Sequence, residues 1–187
     1  MELRPLAERD VSRLPPLPDP LPPEVEALFA ERTRLMGRLI NLHYLIGHAP
    51  NVSRASAQMA LALRNNTSAD RLYIEYSIVQ AARAAHGAYE LQQHLPMLRA
   101  AGAPQAKIDA LPNWRASPLF DDKERALLAY VDEMCDRGNV SDATFAAMQA
   151  AFTSQQIVEV SFAVATYYGM ALLMNALKLK LEKPQES

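Results

Sequence analysis

The stretch Glu75–His94, EYSIVQAARAAHGAYELQQH, sets Glu75, Glu90 and His94 in sequence made largely of Ala, Val, Ile and Leu. Acids and an imidazole inside apolar helical sequence are costly to bury unless they are paired. Such groups therefore form either a structural ion pair or a proton-transfer site. As one straight helix, residues 69–100 would hold Glu75 and His94 about 28 Å apart, at roughly 1.5 Å per residue. Gly87, preceded by His86, is the natural break, because glycine tolerates backbone angles that end or restart a helix. A turn there folds 69–85 against 88–101 as an αα-hairpin and brings Glu75 towards His94. Glu90 and His94, four residues apart, share one helix face and reach each other directly.

Outward from this hairpin the chain reads as helix. Glycines number only six, and abundant alanine favours helix. A first helix is expected from Pro23 or Glu24 to near Gly47, with Val25, Leu28, Phe29, Leu35, Met36, Leu39 and Ile40 on one face. Pro50 suits the first turn of a second, which stops at Asn65-Asn66-Thr67. Thr67 or Ser68 caps the third, near Ala69. Phe120-Asp121-Asp122-Lys123-Glu124 opens a helix that ends at Gly138, and Ser141 caps a short one. Thr153 and Gln156 form a capping box for a long apolar helix to about Leu181. No segment alternates with period two. The predicted fold class is all-α: one helical domain over 24–183, preceded by an arm over 1–23. Seven prolines, Pro5, Pro15, Pro16, Pro18, Pro20, Pro22 and Pro23, make that arm extended and partly polyproline-like. With Leu3, Leu6, Leu14, Leu17 and Leu21 to make contacts, it is either a frayed tail or an arm lying on a neighbouring subunit.

Composition excludes several classes of function. A net charge of −2 argues against nucleic acid as a partner, because phosphate binding needs a basic excess. No apolar run reaches the roughly 18 residues that a membrane span requires, so no membrane partner is expected. The opening MELRPLAERDVSRL lacks the apolar core of a secretory signal, and a cytoplasmic location is the expectation. With Cys135 the single cysteine, there is no internal disulfide or CxxC pair. Cys135 reads as a buried small hydrophobe, and as a weaker alternative as a redox thiol between subunits. His86, His94 and the two glutamates lack H-x-H or H-x-x-x-H spacing, so no metal or other cofactor is expected. Trp114 reads as a loop anchor or interface residue. The last helix is apolar on more than one face, as a central or partner-contacting helix would be.

Glu75 followed by Tyr89-Glu90 and His94 resembles the carboxymuconolactone decarboxylase family, whose pattern is a Glu followed at this spacing by Tyr-Glu-Trp-x-x-His. His48-Ala49-Pro50 resembles that family's His-x-Pro opening of a helix, and Leu98–Ala103 its helix exit. The resemblance covers roughly residues 35–180. It implies the alkylhydroperoxidase D-like fold, homo-oligomers (trimers or hexamers), and cofactor-free decarboxylation of a small carboxylated lactone in the breakdown of aromatic compounds. In that reading His94 gives and takes the proton, Glu75 orients it, Glu90 relays or holds it, and Tyr89 donates to a developing oxyanion. Arg83 and Arg71 are candidate cations for an anionic substrate, with His86 and His48 as further substrate-binding candidates. Two departures stand out. Gly87 and Glu90 occupy the positions where the related peroxidase branch carries its two cysteines, so thiol peroxidase chemistry is excluded. Leu91 stands where the decarboxylase pattern has Trp. The alternative function is a non-catalytic oligomeric member of the fold that binds a ligand or serves a stress response.

Overall fold

The computed structural model describes residues 10–183. Leu3, Pro5 and Leu6 of the arm, most of the MELRPLAERDVSRL opening and Pro184 lie outside the described residues. Among the described residues the chain is all-helical, with nine α-helices: α1 Pro23–Met36, α2 Asn41–Ile46, α3 Pro50–Asn65, α4 Arg71–Ala84, α5 Ala88–Ala100, α6 Gln105–Ala110, α7 Asp122–Arg137, α8 Asp142–Ala151 and α9 Ser154–Ala176. A 3-10 turn, Leu111–Ala116, follows α6. Packing divides the chain into two compact units, Leu61–Leu173 and Met1–Ala60 with Met174–Ser187. The division falls within α3 and α9.

In the Leu61–Leu173 unit, α4 packs against α5 and α7, and α7 against α8. Its core joins Ile74, Ile78 and Leu98 of the hairpin to Leu127, Leu128 and Val131 of α7 and to Val160, Ala163 and Val164 of α9. Local sequence starts and stops these helices. Asp121 and Glu124 form a reciprocal capping box at α7, and Gly138 ends that helix with φ 63°. Ser141 caps α8. Thr153 and Gln156 exchange the two bonds of a box before α9. α4 is capped two or three residues later than the expected Ser68 or Thr67, by Asp70, whose carboxylate accepts from the Leu72 N–H.

The break near Gly87 is present, with a different division of labour from the one expected. The left-handed residue is His86, at φ 52°. Gly87 has φ −82°, and it is small for another reason. A Cβ there would come within 2.7 Å of the Ala171 Cβ on α9. The turn needs a glycine for close approach, and the unusual backbone angle is borne by its neighbour.

The last helix ends at Ala176 instead of about Leu181, as Lys178 adopts φ 51°. It is also long and apolar enough to cross a bilayer by length and composition, with mean hydropathy 1.6 over 18 residues. That corrects the expectation that no such run exists, because its Ser, Thr, Tyr and Gly residues interrupt an apolar run without lowering hydropathy much. One side of α9 serves as core: Val160, Ala163, Val164, Tyr167 and Ala171 are all buried.

In the other unit, the single helix expected from Pro23 to Gly47 is two. Gly37, at φ 74°, ends α1, and its N–H donates to the Thr33 carbonyl. Leu35 and Met36, placed on the inner face by periodicity, are exposed. Leu17, Val25, Leu28, Phe29 and Tyr44 form the core of this unit, with the Phe29 and Tyr44 rings edge to face at 5.1 Å. The described part of the arm packs within its own unit. Leu17 is buried in its own chain. The Arg13 N–H donates to the Leu177 carbonyl and the Lys180 N–H to that of Val11, which pairs the arm with the C-terminal segment.

Candidate functional site: a histidine between two glutamates

The hairpin lays Glu75 of α4 beside His94 of α5. Glu75 has no exposed surface, and Glu90 and His94 are each only 4% exposed. The imidazole Nδ1–H donates to Glu75 Oε2 at 2.8 Å. The other Glu75 oxygen is held by the Arg71 guanidinium, one helical turn earlier. Arg71 also donates to the Arg64 carbonyl at the end of α3. With Arg71 on one oxygen and the imidazole Nδ1 on the other, Glu75 holds the ring so that Nε2 turns towards Glu90.

Nε2 faces Glu90 Oε2 at 3.4 Å. Burial pushes the Glu90 carboxyl up to about 6; the Glu75 charge adds to the rise, while His94 and Arg64 oppose it. The imidazole thus lies between two buried carboxylates, one on each ring nitrogen.

Tyr167 of α9 closes one side of the imidazole, its ring edge to face at 4.8 Å. Burial pushes its phenol up to about 12, with Glu90 and Glu75 adding and Arg64 and Arg71 opposing. Tyr167 and Arg64 were not singled out by sequence. Tyr167 reads as one more apolar position in α9, and its 73-residue separation from His94 gives no local signal.

The remaining candidates fall in different places. Tyr89 is buried on α5, adjacent to Glu90; consecutive helical residues do not face one another. Arg71, expected to bind substrate, is the partner of Glu75. Arg83 is half-buried on α4 and lies near Asp132; burial lowers its pKa. His86 is exposed at the hairpin turn, away from the imidazole–carboxylate cluster in burial if not in sequence. His48 is exposed between α2 and α3, in the other unit. Leu91 is half-buried and packs against the core. Among the described residues no three His, Cys, Asp or Glu side chains converge as metal ligands do.

A cavity of about 570 Å³ lies elsewhere in the same unit, lined by Ala84, Arg115, Tyr168 and the Asp132–Arg137 end of α7. Glu75, Glu90 and His94 do not line it. Asp132 anchors its wall, accepting from Gln80 at 2.6 Å, Trp114 at 3.1 Å and Arg115 at 2.7 Å. Trp114 is thus the anchor of its loop. Cys135 also lines the cavity, and burial together with Asp132 pushes its thiol up to about 11. A thiol held protonated is a poor nucleophile at neutral pH.

Comparison with known proteins bears on the fold and on the segment that carries the cluster. Residues 50–133 match the Carboxymuconolactone decarboxylase family. No curated protein matches the sequence significantly. Among solved structures, an uncharacterized peroxidase-related protein with an alkylhydroperoxidase AhpD core from Ralstonia eutropha JMP134 superposes with a TM-score of 0.78 at 20% identity, covering 94% of each chain. An uncharacterized peroxidase-related protein from Silicibacter sp. TM1040 gives 0.76 at 20% identity, over 93% of each chain. The debrominase Bmp8, in complex with 2,3,4-tribromopyrrole, gives 0.74 at 15% identity, over 94% of this chain and 92% of the other. The segment that carries Glu75, Glu90 and His94 lies within the stretch that matches the carboxymuconolactone decarboxylase family, in a chain whose fold is alkylhydroperoxidase D-like.

Proposed function

We propose that this chain is a cofactor-free, cytoplasmic acid–base enzyme acting on a small carboxylated lactone or related ring acid, with His94 as its proton donor and acceptor. The observation that carries the reading is the line Arg71–Glu75–His94–Glu90, in which Arg71 and Glu75 hold one side of the buried imidazole and Glu90 faces the other. In a decarboxylation, the bond to the carboxylate breaks and CO2 leaves. The electron pair delocalises towards the lactone carbonyl and returns to carbon as a proton is delivered. Protonated His94 Nε2 delivers that proton, Glu90 returns one to Nε2, and Glu90 recovers its own from water. The balance is one proton taken up per CO2 released. Glu75 keeps the imidazole in one tautomer throughout.

The neighbours described as peroxidase-related do not bring thiol chemistry to this chain, since Gly87 and Glu90 stand at the cysteine positions of that branch. The ring ligand in the debrominase structure is small and planar, in keeping with a small ring substrate here. A second reading, ligand binding without turnover, is favoured by one observation: the 570 Å³ cavity is lined by residues other than the His94 cluster.

The test is CO2 release from a panel of γ-carboxy lactones and cyclic β-keto acids in D2O. Turnover with one deuteron placed on carbon is expected. His94→Gln should lower it by about 10²–10⁴-fold with the melting temperature nearly unchanged. No release from any compound by the native chain, or full activity in His94→Gln, overturns the enzyme reading.

A further inference from the structure

We infer that Tyr167 is a catalytic residue of the His94 site, its phenol donating to the substrate oxygen on which negative charge develops as CO2 leaves. The inference deepens the acid–base reading proposed above and rests on it. Tyr167 is only 6% exposed, and a buried tyrosine hydroxyl ordinarily finds a hydrogen-bond partner. Tyr130 does so, sharing a 2.7 Å hydrogen bond with Ser161. The Tyr167 hydroxyl makes no hydrogen bond among the described residues. The Tyr76 hydroxyl also lacks one, but it is sealed in the core against Phe120, where no ligand reaches. Tyr167 instead stands edge to face with the imidazole of His94 at 4.8 Å. Its phenol end meets the cluster, since Arg64, Glu90, Glu75 and Arg71 all act on it electrostatically. An acceptor atom at that hydroxyl therefore sits beside the imidazole that delivers the proton.

The role expected of Tyr89 thus passes to a tyrosine on another helix. Tyr89 adjoins Glu90 on α5 and turns from the face that Glu90 and His94 share. The cations expected to grip an anionic substrate are placed otherwise as well. Arg71 serves Glu75 and the Arg64 carbonyl, and Arg83 lies near Asp132. A cation on the departing carboxylate would stabilise the ground state and slow the loss of CO2. A donor aimed at the carbonyl oxygen gains strength only as charge arrives there, which is what accelerates the step. The carbon–carboxylate bond breaks, its electron pair moves to the carbonyl oxygen held by the Tyr167 O–H, and the pair returns to carbon as His94 delivers its proton. Burial holds the phenol up at about 12, so it donates a hydrogen bond at neutral pH and keeps its own proton. Arg64, whose positive charge acts on both Glu90 and Tyr167, favours an oxyanion at the same place. The substrate must then carry a carbonyl able to accept the pair, as unsaturated γ-carboxy lactones and β-keto acids do and saturated γ-carboxy lactones do not.

Tyr167→Phe removes the hydroxyl, keeps the ring and tests the inference. With no hydrogen bond there to lose, the melting temperature should not fall. On an acid that the native chain turns over, kcat should drop by about 10²–10³-fold, with KM within about threefold of the native value. A second readout needs no turnover: calorimetric titration with tetronic acid, a lactone that is an enolate anion at neutral pH. Tetronate should bind the native chain and lose about tenfold or more in affinity in Tyr167→Phe, whereas the neutral unsaturated parent lactone should bind both chains alike. Equal kcat in the two chains, equal tetronate affinity, or no tetronate binding by the native chain overturns the inference and leaves the enzyme reading to be judged by His94→Gln. A native chain that binds tetronate through Tyr167 but turns over no acid overturns the catalytic role together with the enzyme reading, and leaves an enolate-binding site at this phenol.

Discussion

His94 and His43 are buried to the same degree, each 4% exposed, yet they keep opposite company. In the Leu61–Leu173 unit, His94 sits between the carboxylates of Glu75 and Glu90. In the other unit, His43 accepts the Ile40 N–H on Nδ1 at 3.2 Å. Burial, aided by the nearby Arg32 guanidinium, pushes His43 down to about 4. Arg32, itself buried, donates to the Ser53 carbonyl at 3.1 Å. His43 is therefore a neutral packing residue that caps the start of α2. His94 has a carboxylate on each ring nitrogen. Depth does not distinguish the two histidines; the charges that surround each ring do.

Removing the company of His94 should have the largest effect. Glu75→Ala takes the shared acceptor from Arg71 and from His94, and leaves the buried imidazole without it. The expected loss is about 3–5 kcal/mol, read as a lower urea midpoint at unchanged slope. A loss below about 1 kcal/mol would show the pair to be incidental to the fold.

Next comes a pH titration of His43. Its folded value of about 4 lies below the ordinary 6.5, so the unfolded chain binds the proton first. Its contribution is fully present above about pH 6.5 and is lost as pH falls towards 4, by up to about 3 kcal/mol. His43→Gln should flatten that part of the stability–pH curve.

The Glu90 effect is the smallest and has the opposite sign. Its folded value of about 6 lies above the ordinary 4.5, so here the folded chain binds the proton first. The contribution is fully present below about pH 4.5 and is lost as pH rises through 6, by about 2 kcal/mol. Glu90→Gln should remove this slope and leave that of His43 in place. Identical slopes in both variants would erase the distinction between the two histidines.

Much of the hairpin was legible because its signals are local. The four-residue spacing of Glu90 and His94 fixes their shared face, and the stop at Gly87 brings Glu75 within reach. The caps at Asp121, Ser141 and Thr153 are likewise exchanged within a few residues. Arg71 shows the limit of such reading. Its spacing from Glu75 is as local as that of Glu90 from His94, but spacing does not say whether a guanidinium serves a substrate or a buried carboxylate. Leu35 and Met36 show another, since periodicity continues past Gly37 while the backbone does not.

By itself the sequence determined the helical class, the positions of most helix ends and the pairing of carboxylate with imidazole, because each depends on groups a few residues apart. Tertiary structure decided the rest. It brought Tyr167 to the ring of His94, set Ala171 against Gly87, seated Leu17 beside Phe29, and left one side of α9 uncovered. Those contacts join residues tens of positions apart, or depend on which face a neighbour happens to cover. Chain spacing carries no record of either; close packing in three dimensions creates them.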